Sequence, residues 1–167
     1  YFSYDGGDYH QAQAAYSGSI VRTAGRQDQA FSIEAWIYFG TTTGAQNVFS
    51  NGFSGTDDGI YFQITNPTAG KLVLNPLEEA VTESSGTVSA TTWTQIGVSG
   101  KLDGSTTCRF IINGAVDSTF THNRSGWTSG DSSTVGAIGG RVGDSNARLS
   151  SGSRLAILRI YDRALSP

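Results

Sequence analysis

The sequence has no methionine, one cysteine and three prolines among its 167 residues. The single cysteine, Cys108, cannot form an internal disulfide, and one cysteine with two histidines is too few for a thiolate zinc site. Charged residues make up 15% of the chain, against roughly 25% in an average globular protein. With a formal net charge of −3, this composition disfavours a basic nucleic-acid-binding protein.

Long apolar runs are also missing. None approaches the ~20 residues that a membrane-spanning helix needs, and the opening YFSYDGGDYH lacks the charged-then-apolar pattern of a secretory signal. We therefore expect no membrane insertion. Because the sequence lacks an initiator methionine and ends at Ser166–Pro167, we also expect residues 1–167 to be a single domain excised from a longer polypeptide.

The chain is rich in small and turn-forming residues instead. Glycine, serine and threonine account for 22, 21 and 18 residues. Because helix formers are correspondingly scarce, a helix bundle is excluded. The apolar fraction of 37% and the aromatic fraction of 11% nevertheless provide the core formers that a disordered chain lacks.

Apolar and polar residues alternate in many short segments, a period typical of β-strands. The clearest segment is 31–39, FSIEAWIYF, in which every second residue from Phe31 is apolar and faces the same way. We expect that face to lie in the core. The opposite face carries Glu34, Trp36 and Tyr38, which is too aromatic for open solvent, so we expect either a loop or a ligand to cover it.

Further strands are expected at 16–22, 46–51, 59–65, 70–75, 92–99, 106–112, 115–121, 134–139 and 154–162. Their short, regular spacing is typical of an all-β sandwich or barrel. Asn113–Gly114 predicts a two-residue hairpin turn, because both residues tolerate positive φ. Pro67 and Gly70 predict a longer loop in a second hairpin, 62–74. Outside the strands, 78–83 is expected to form at most one helical turn.

Several of these segments occur in a characteristic order. FSIEAWIYF is followed by TTWTQIGVSG, FIING, VGAIGG and LAILRIYDRALSP, and the chain opens on YFSYDGGDYH. In this order, over nearly the whole chain, the sequence resembles laminin-G-like domains of the concanavalin A-like lectin/glucanase superfamily. The EAW strand and the closing RIYDRALSP are the most specific parts of the resemblance.

The resemblance implies an all-β jelly-roll sandwich of two antiparallel sheets, one of them concave. Such domains often carry calcium, often bind glycans or mediate adhesion, and are commonly appended to bacterial extracellular enzymes, animal matrix proteins and phage tail or capsid-surface proteins. We therefore expect a non-catalytic carbohydrate-binding or adhesion module of an extracellular or virion-surface protein, with a glycan or cell-surface polysaccharide as its partner. The alternative is a structural decoration or assembly domain of a phage capsid, tail fibre or matrix, with a protein partner.

Catalytic constellations are missing from the sequence. Glycoside hydrolases of this superfamily use carboxylates two residues apart on one strand face, and no Asp or Glu here has an acidic residue at that spacing. His10 and His122 fall in predicted loops, and no Gly-x-Ser-x-Gly elbow is present. Cys108 alternates with apolar residues, as a buried and unreactive thiol would. We expect no enzymatic activity.

Two pairs of aspartates are candidate calcium ligands, because this hard cation prefers carboxylate and carbonyl oxygens. Asp5 and Asp8 lie in the opening motif, and Asp57 and Asp58 lie in the turn GTDDG. We expect one Ca²⁺ at one of these pairs. The alternative is that all four are ordinary turn aspartates, which accept hydrogen bonds from their own backbone.

Sugar recognition needs a flat aromatic face together with amides, carboxylates or arginines for the hydroxyl groups. The loop HNRSGWTSGD offers such a set, and we expect Trp127, Asn123, Arg124 and Asp131 to bind the ligand at one rim of the sandwich. Trp127 is alternatively a lid packed on its own sandwich. Trp93 opens an apolar strand, so we expect it in the core.

Arginine outnumbers lysine nine to two. Five of the arginines lie in the C-terminal part of the chain: Arg141, Arg148, Arg154, Arg159 and Arg163. They form either solvent-facing salt bridges or an interface with another protein, since arginine is enriched and lysine depleted at interfaces.

Overall fold

The computed structural model describes residues 1–7, 9–12, 24–51, 59–65, 68–76, 80–123, 136–140 and 147–166. These residues form twelve β-strands and no helix. The strands are β1 (Phe2–Ser3), β2 (His10–Ala12), β3 (Phe31–Tyr38), β4 (Gln46–Ser50), β5 (Ile60–Ile64), β6 (Lys71–Pro76), β7 (Thr82–Thr87), β8 (Trp93–Gly100), β9 (Cys108–Ile112), β10 (Ala115–Phe120), β11 (Gly136–Ile138) and β12 (Arg154–Tyr161). In the part of the chain so described, no helix is long and apolar enough to cross a membrane.

The strands pair into two antiparallel sheets of six strands each. Sheet A has the order β1-β12-β3-β8-β9-β10, and sheet B has the order β2-β11-β4-β5-β6-β7. Side chains from the inner faces of both sheets meet in one core, which includes Ile33, Phe62 and Phe110. The predicted all-β jelly-roll sandwich is confirmed.

β3 shows how the sequence sets the two faces of a sheet. Phe31, Ile33, Ala35 and Ile37 are all 1% exposed or less, as the alternation of apolar residues predicts. The strand lies between β12 and β8 and pairs with both over nearly its full length. Its inner face therefore anchors sheet A to the core, while its outer face is left for other contacts.

Both predicted hairpins are present. Asn113 and Gly114 connect β9 to β10 with φ values of 52° and 78°, the left-handed conformation that the Asn-Gly pair permits. The Asn113 side chain also accepts a hydrogen bond from Gln95 N at 3.1 Å, which ties the turn to β8. β5 pairs with β6 in the second hairpin.

β7 is a strand that the sequence does not reveal. It includes the last two residues of 78–83, where at most one helical turn is expected, so no helical turn reaches Thr82 or Glu83. β7 is an edge strand of sheet B, and its buried residue is Ser84, which is 1% exposed. Ser84 Oγ accepts a hydrogen bond from Leu72 N at 2.9 Å. Because a serine occupies the inward position, the alternating apolar signal is lost. The predicted strand at 16–22 lies outside the described residues.

Candidate functional site

The outer face of sheet B carries two amide side chains that are withdrawn from solvent. Asn47 on β4 is paired directly with Gln63 on β5, so both side chains project from the same face. Asn47 is 0% exposed and Gln63 is 3% exposed. Ser50 and Tyr61 form the next cross-strand pair on this face and are also buried. We call these four residues the amide face.

The alternation of β5 directs its part of the amide face away from the core. Ile60, Phe62 and Ile64 are fully buried members of the core. Because successive side chains of a strand point to opposite sides, Tyr61 and Gln63 must face outward.

A β-bulge in β4 keeps Asn47 on the outer face of sheet B. The register of β4 against β5 shifts between Asn47 and Phe49, so that Val48 is an extra residue in the strand. Val48 and Phe49 both belong to the buried core. Asn47 is thereby kept on the outer face, opposite Gln63.

The amide pair has hydrogen-bonding capacity that the fold does not use. Asn47 Oδ1, Asn47 Nδ2 and Gln63 Nε2 are buried and have no hydrogen-bond partner within the described ranges. The neighbouring Ser50 Oγ, by contrast, donates to Gly140 O at 3.0 Å. An unpaired buried polar group costs about 1–3 kcal/mol, and native proteins keep few of them. The pair therefore has unused capacity to donate and accept hydrogen bonds, but at 0% and 3% exposure it contacts an external ligand only when the groups that cover this face move aside.

Of the four residues predicted to bind a ligand at the rim, the structure describes Asn123. Arg124, Trp127 and Asp131 lie outside the described residues. Asn123 is exposed and forms an isolated antiparallel bridge with Asp103, in the connection between β8 and β9. This places it beside sheet A and away from the amide face, and the rim site stays a prediction.

Asp103 organises the turn that Asn123 joins. Its Oδ1 accepts hydrogen bonds from Thr106 N at 2.7 Å and from Ser105 N at 3.0 Å, and Lys101 Nζ lies 3.3 Å from Oδ2. The backbone N–H groups of Thr106 and Ser105 favour the ionised carboxylate and lower the pKa of Asp103. The carboxylate is therefore a structural acceptor in this turn.

Because the folded-state pKa of Asp103 is lowered, its contribution to stability is present above the unfolded pKa of about 3.9 and is lost as the pH falls towards the folded value. We expect Asp103→Asn to have a lower denaturant midpoint than the unmodified protein at neutral pH. The gap between the two midpoints should shrink steadily as unfolding is repeated below pH about 4. A gap that stays constant with pH would show that the charge of Asp103 does not matter.

The described aspartates do not assemble a calcium site. Asp5 is exposed, and its Oδ1 accepts a hydrogen bond from Gly7 N at 2.7 Å, as in the turn-aspartate alternative. Within the described part of the chain, no group of three or more His, Cys, Asp or Glu could hold a metal ion. Asp8, Asp57 and Asp58 lie outside it. Calcium binding at Asp5 and Asp8, or at Asp57 and Asp58, stays a prediction.

Two tryptophans lie on the outer face of sheet A. Trp36 is 40% exposed, so of the two expected covers, a loop or a ligand, the loop is wrong and the ligand stays a prediction. Trp93 is paired with Tyr38 across β3 and β8, and their ring centroids are 5.9 Å apart. Trp93 is half-buried on this outer face, so its expected place in the core is also wrong. The inward positions of β8 begin at Thr94, one residue later than the apolar pattern of the strand indicates.

The polar groups beside Trp36 are paired with one another. Glu34 Oε1 accepts a hydrogen bond from Gln95 Nε2 at 3.0 Å and lies 3.4 Å from Arg159 Nη1. A groove of about 180 Å³ runs past them over Gly97, which has no side chain to fill it. This face thus offers an exposed indole, but its carboxylate and amide are already satisfied, unlike the amides of sheet B.

Neither histidine nor cysteine is arranged as a nucleophile. Cys108 is 0% exposed, burial raises the pKa of its thiol, and its Sγ donates to Lys101 O at 3.3 Å. His10 lies in β2, so the loop predicted there is wrong, and its ring centroid is 4.9 Å from that of Phe2. His122 follows β10 outside any strand, as predicted.

Comparison with known proteins identifies relatives of this fold. The family model of the concanavalin A-like lectin/glucanase superfamily matches residues 6–167. No curated protein sequence matches the chain.

Solved structures with the same fold include three that share little sequence. The CBM40 domain of the Ruminococcus gnavus IT-sialidase, bound to α2,3-sialyllactose, has a TM-score of 0.73 and 15% identity over 99% of this chain and 91% of that chain. Domain 4 of AbnA, a GH43 extracellular arabinanase of Geobacillus stearothermophilus, was solved in complex with arabinotriose. It has a TM-score of 0.61 and 18% identity over 86% of this chain and 64% of that chain. Domains LG4-5 of the mouse laminin α1 chain have a TM-score of 0.60 and 9% identity over 95% of this chain and 40% of that chain.

Proposed function

The chain belongs to the laminin-G-like branch of the concanavalin A-like lectin/glucanase superfamily, and on this premise we propose that it is a non-catalytic carbohydrate-binding module of a larger extracellular or virion-surface protein. We place its sugar site on the amide face. Fold alone does not decide function, because one sandwich hosts many unrelated sites. The proposal therefore depends on the chemistry of this face.

The observation that carries it is the pair of buried, unpartnered amides, Asn47 and Gln63. A sugar hydroxyl both donates and accepts a hydrogen bond, and an amide side chain presents one acceptor oxygen and a donor NH₂ group. When the groups that cover this face move aside, Asn47 can engage two neighbouring hydroxyls, while Gln63 Nε2 donates to a third acceptor. Tyr61 places an aromatic ring on the same face, and sugars pack their apolar sides on such rings; at 2% exposure this ring too is reached only when that cover moves aside.

The relatives support a glycan as the ligand. Two of the structurally similar domains were solved with bound oligosaccharides, sialyllactose in one and arabinotriose in the other. The first is the CBM40 domain of a sialidase, and the second is domain 4 of an extracellular arabinanase. This supports a binding role for the present domain, and it supplies two sugars with which to begin.

We expect Asn47→Leu together with Gln63→Met to weaken binding by about tenfold to a hundredfold, since up to three hydrogen bonds are lost. Binding of the unmodified protein is first established on a glycan array that includes sialyllactose and arabinotriose, and the affinity of the best sugar is then measured by calorimetry. Because these near-isosteric changes remove unpaired buried polar atoms, the free energy of unfolding should stay the same or rise by about 1 kcal/mol.

Gln95→Met is the matched control, because it makes the same chemical change on the outer face of sheet A. It should leave sugar affinity unchanged. Trp36→Ala tests the exposed indole: loss of binding in that variant, with full binding in the amide variant, would move the site to sheet A. An intact fold that binds no sugar on a broad array would end the proposal.

A further inference from the structure

β12 has a long stretch of unpaired edge. On one side it pairs with β3 along most of its length. On the other side β1 pairs only with Arg154 and Leu155, so residues 156–161 have no strand partner there among the described residues. Ile157 in this stretch is 39% exposed. An exposed apolar edge presents free backbone N–H and C=O groups, and it is a template for another strand.

A cleft lies along the same edge. It has a volume of about 530 Å³ and separates β12 from the nearest strands of sheet B. Its wall includes Phe2, His10, Ile138 and Leu158, of which Phe2 is 58% exposed. The cleft is thus mostly apolar, and it is open where the backbone of β12 is unpaired. We call the free edge and this cleft together the β12 edge.

The charged side chains of β12 are both cationic. Arg154 and Arg159 project from its outer face, opposite Tyr38 and Glu34 on β3. Arg159 is 52% exposed in its side chain and shares Glu34 with Gln95, while Arg154 lies over the Tyr38 ring at 5.3 Å. On this edge Arg154 already has Ser3 of β1 beside it, so a strand added to residues 156–161 would meet the positive charge of Arg159 on its outward side.

A second copy of the chain is a poor occupant. If residues 157–161 of two copies paired antiparallel over their full length, the two Arg159 side chains would lie directly opposite each other. Like charges in that position destabilise a strand pair. The charge on this edge instead favours a segment with acidic residues at alternate positions.

We propose that the β12 edge binds an extended segment of a partner protein by strand addition. The segment alternates apolar residues, which enter the cleft beside Phe2, Ile138 and Leu158, with acidic residues on its outward side, one of which lies opposite Arg159. Backbone pairing with residues 157–161 supplies the affinity, and the side chains supply the specificity. This function is independent of sugar binding, because the edge belongs to sheet A and the amide face to sheet B.

The test uses the whole domain and a synthetic peptide in which valine and aspartate alternate. We expect the peptide to bind, and we expect backbone hydrogen exchange to slow at residues 156–161. The same peptide with an N-methyl group on every residue cannot donate a backbone hydrogen bond on either side and should not bind. Equal binding by both peptides, or by a peptide that alternates valine and lysine, would overturn the proposal.

Three variants complete the experiment. Arg159→Gln should weaken binding of the acidic peptide about twofold to fivefold, as expected for one exposed charge pair. Arg109→Gln makes the same change on β9, away from the edge, and should have no effect. The Asn47→Leu and Gln63→Met variant should keep full peptide binding. Hydrogen-exchange protection at a strand other than β12 would also contradict the proposal. So would a dimer of the domain that dissociates when a peptide without acidic residues is added.

Discussion

Replacing Phe62 by alanine is expected to lower the free energy of unfolding by about 3–5 kcal/mol, which is a large part of the stability of an ordinary domain. Phe62 is 0% exposed. It is paired with Phe49 on β4 and with Leu74 on β6, and all three belong to the core. The loss combines the transfer of a phenyl ring back to water with the cavity that it leaves.

The measurement is equilibrium denaturation in urea, with Phe2→Ala as the matched control. Phe2 lies in the short strand β1 and is 58% exposed, so the same deletion there should cost less than about 1 kcal/mol. Similar losses in the two variants would mean that sheet B is not packed through Phe62. The experiment also bears on the sugar site, because Phe62 lies between the outward residues Tyr61 and Gln63.

The fold is predictable because its central strands follow the simplest rules. In β3 every second residue is apolar, and those residues are the buried ones. Asn113–Gly114 marks its hairpin because few other residue pairs accept positive φ at both positions. These signals are local, so they can be found without knowledge of what the strands contact.

Signals that depend on pairing are not predictable in this way. Ser84 fills an inward position of β7 through a hydrogen bond to Leu72 N, which no sequence pattern shows. The apolar strand that Trp93 opens predicts an inward side chain, but pairing with Tyr38 fixes Trp93 on the outer face. In both cases the register against a neighbouring strand, and not the residue type, decides the environment.

The candidate site is hidden in the sequence for the same reason. Asn47 and Gln63 each look like an ordinary outward polar residue in a strand. What distinguishes them is that β4 and β5 place them side by side and that both are buried without partners. The bulge at Val48, which keeps Asn47 in line, has no glycine or proline to mark it. The aromatic rim loop, by contrast, is conspicuous in the sequence because of its tryptophan.

Replacing Gly100 by alanine is the second change expected to have a large effect, a loss of about 3–5 kcal/mol in the free energy of unfolding. Gly100 ends β8 with φ of +154° and is buried. A Cβ atom there would lie 2.7 Å from Cys108 Cα and 2.8 Å from Cys108 Cβ. Cys108 begins β9, and the adjacent pair Ser99 and Arg109 holds β9 against β8, so its backbone cannot retreat without opening the sheet.

Gly44→Ala separates backbone strain from the steric clash. Gly44 has φ of +74°, and no atom lies within 4 Å of the position that a Cβ would take there, so its substitution should cost only about 1–2 kcal/mol through left-handed strain. The difference between the two variants in urea denaturation then measures the contact with Cys108. If Gly100→Ala and Gly44→Ala lost equal stability, β8 and β9 would not be as closely apposed as the structure shows.

Because Cys108 is buried by this contact, the Gly100 variant should also react faster with a thiol reagent, whereas the Gly44 variant should react no faster than the unmodified protein.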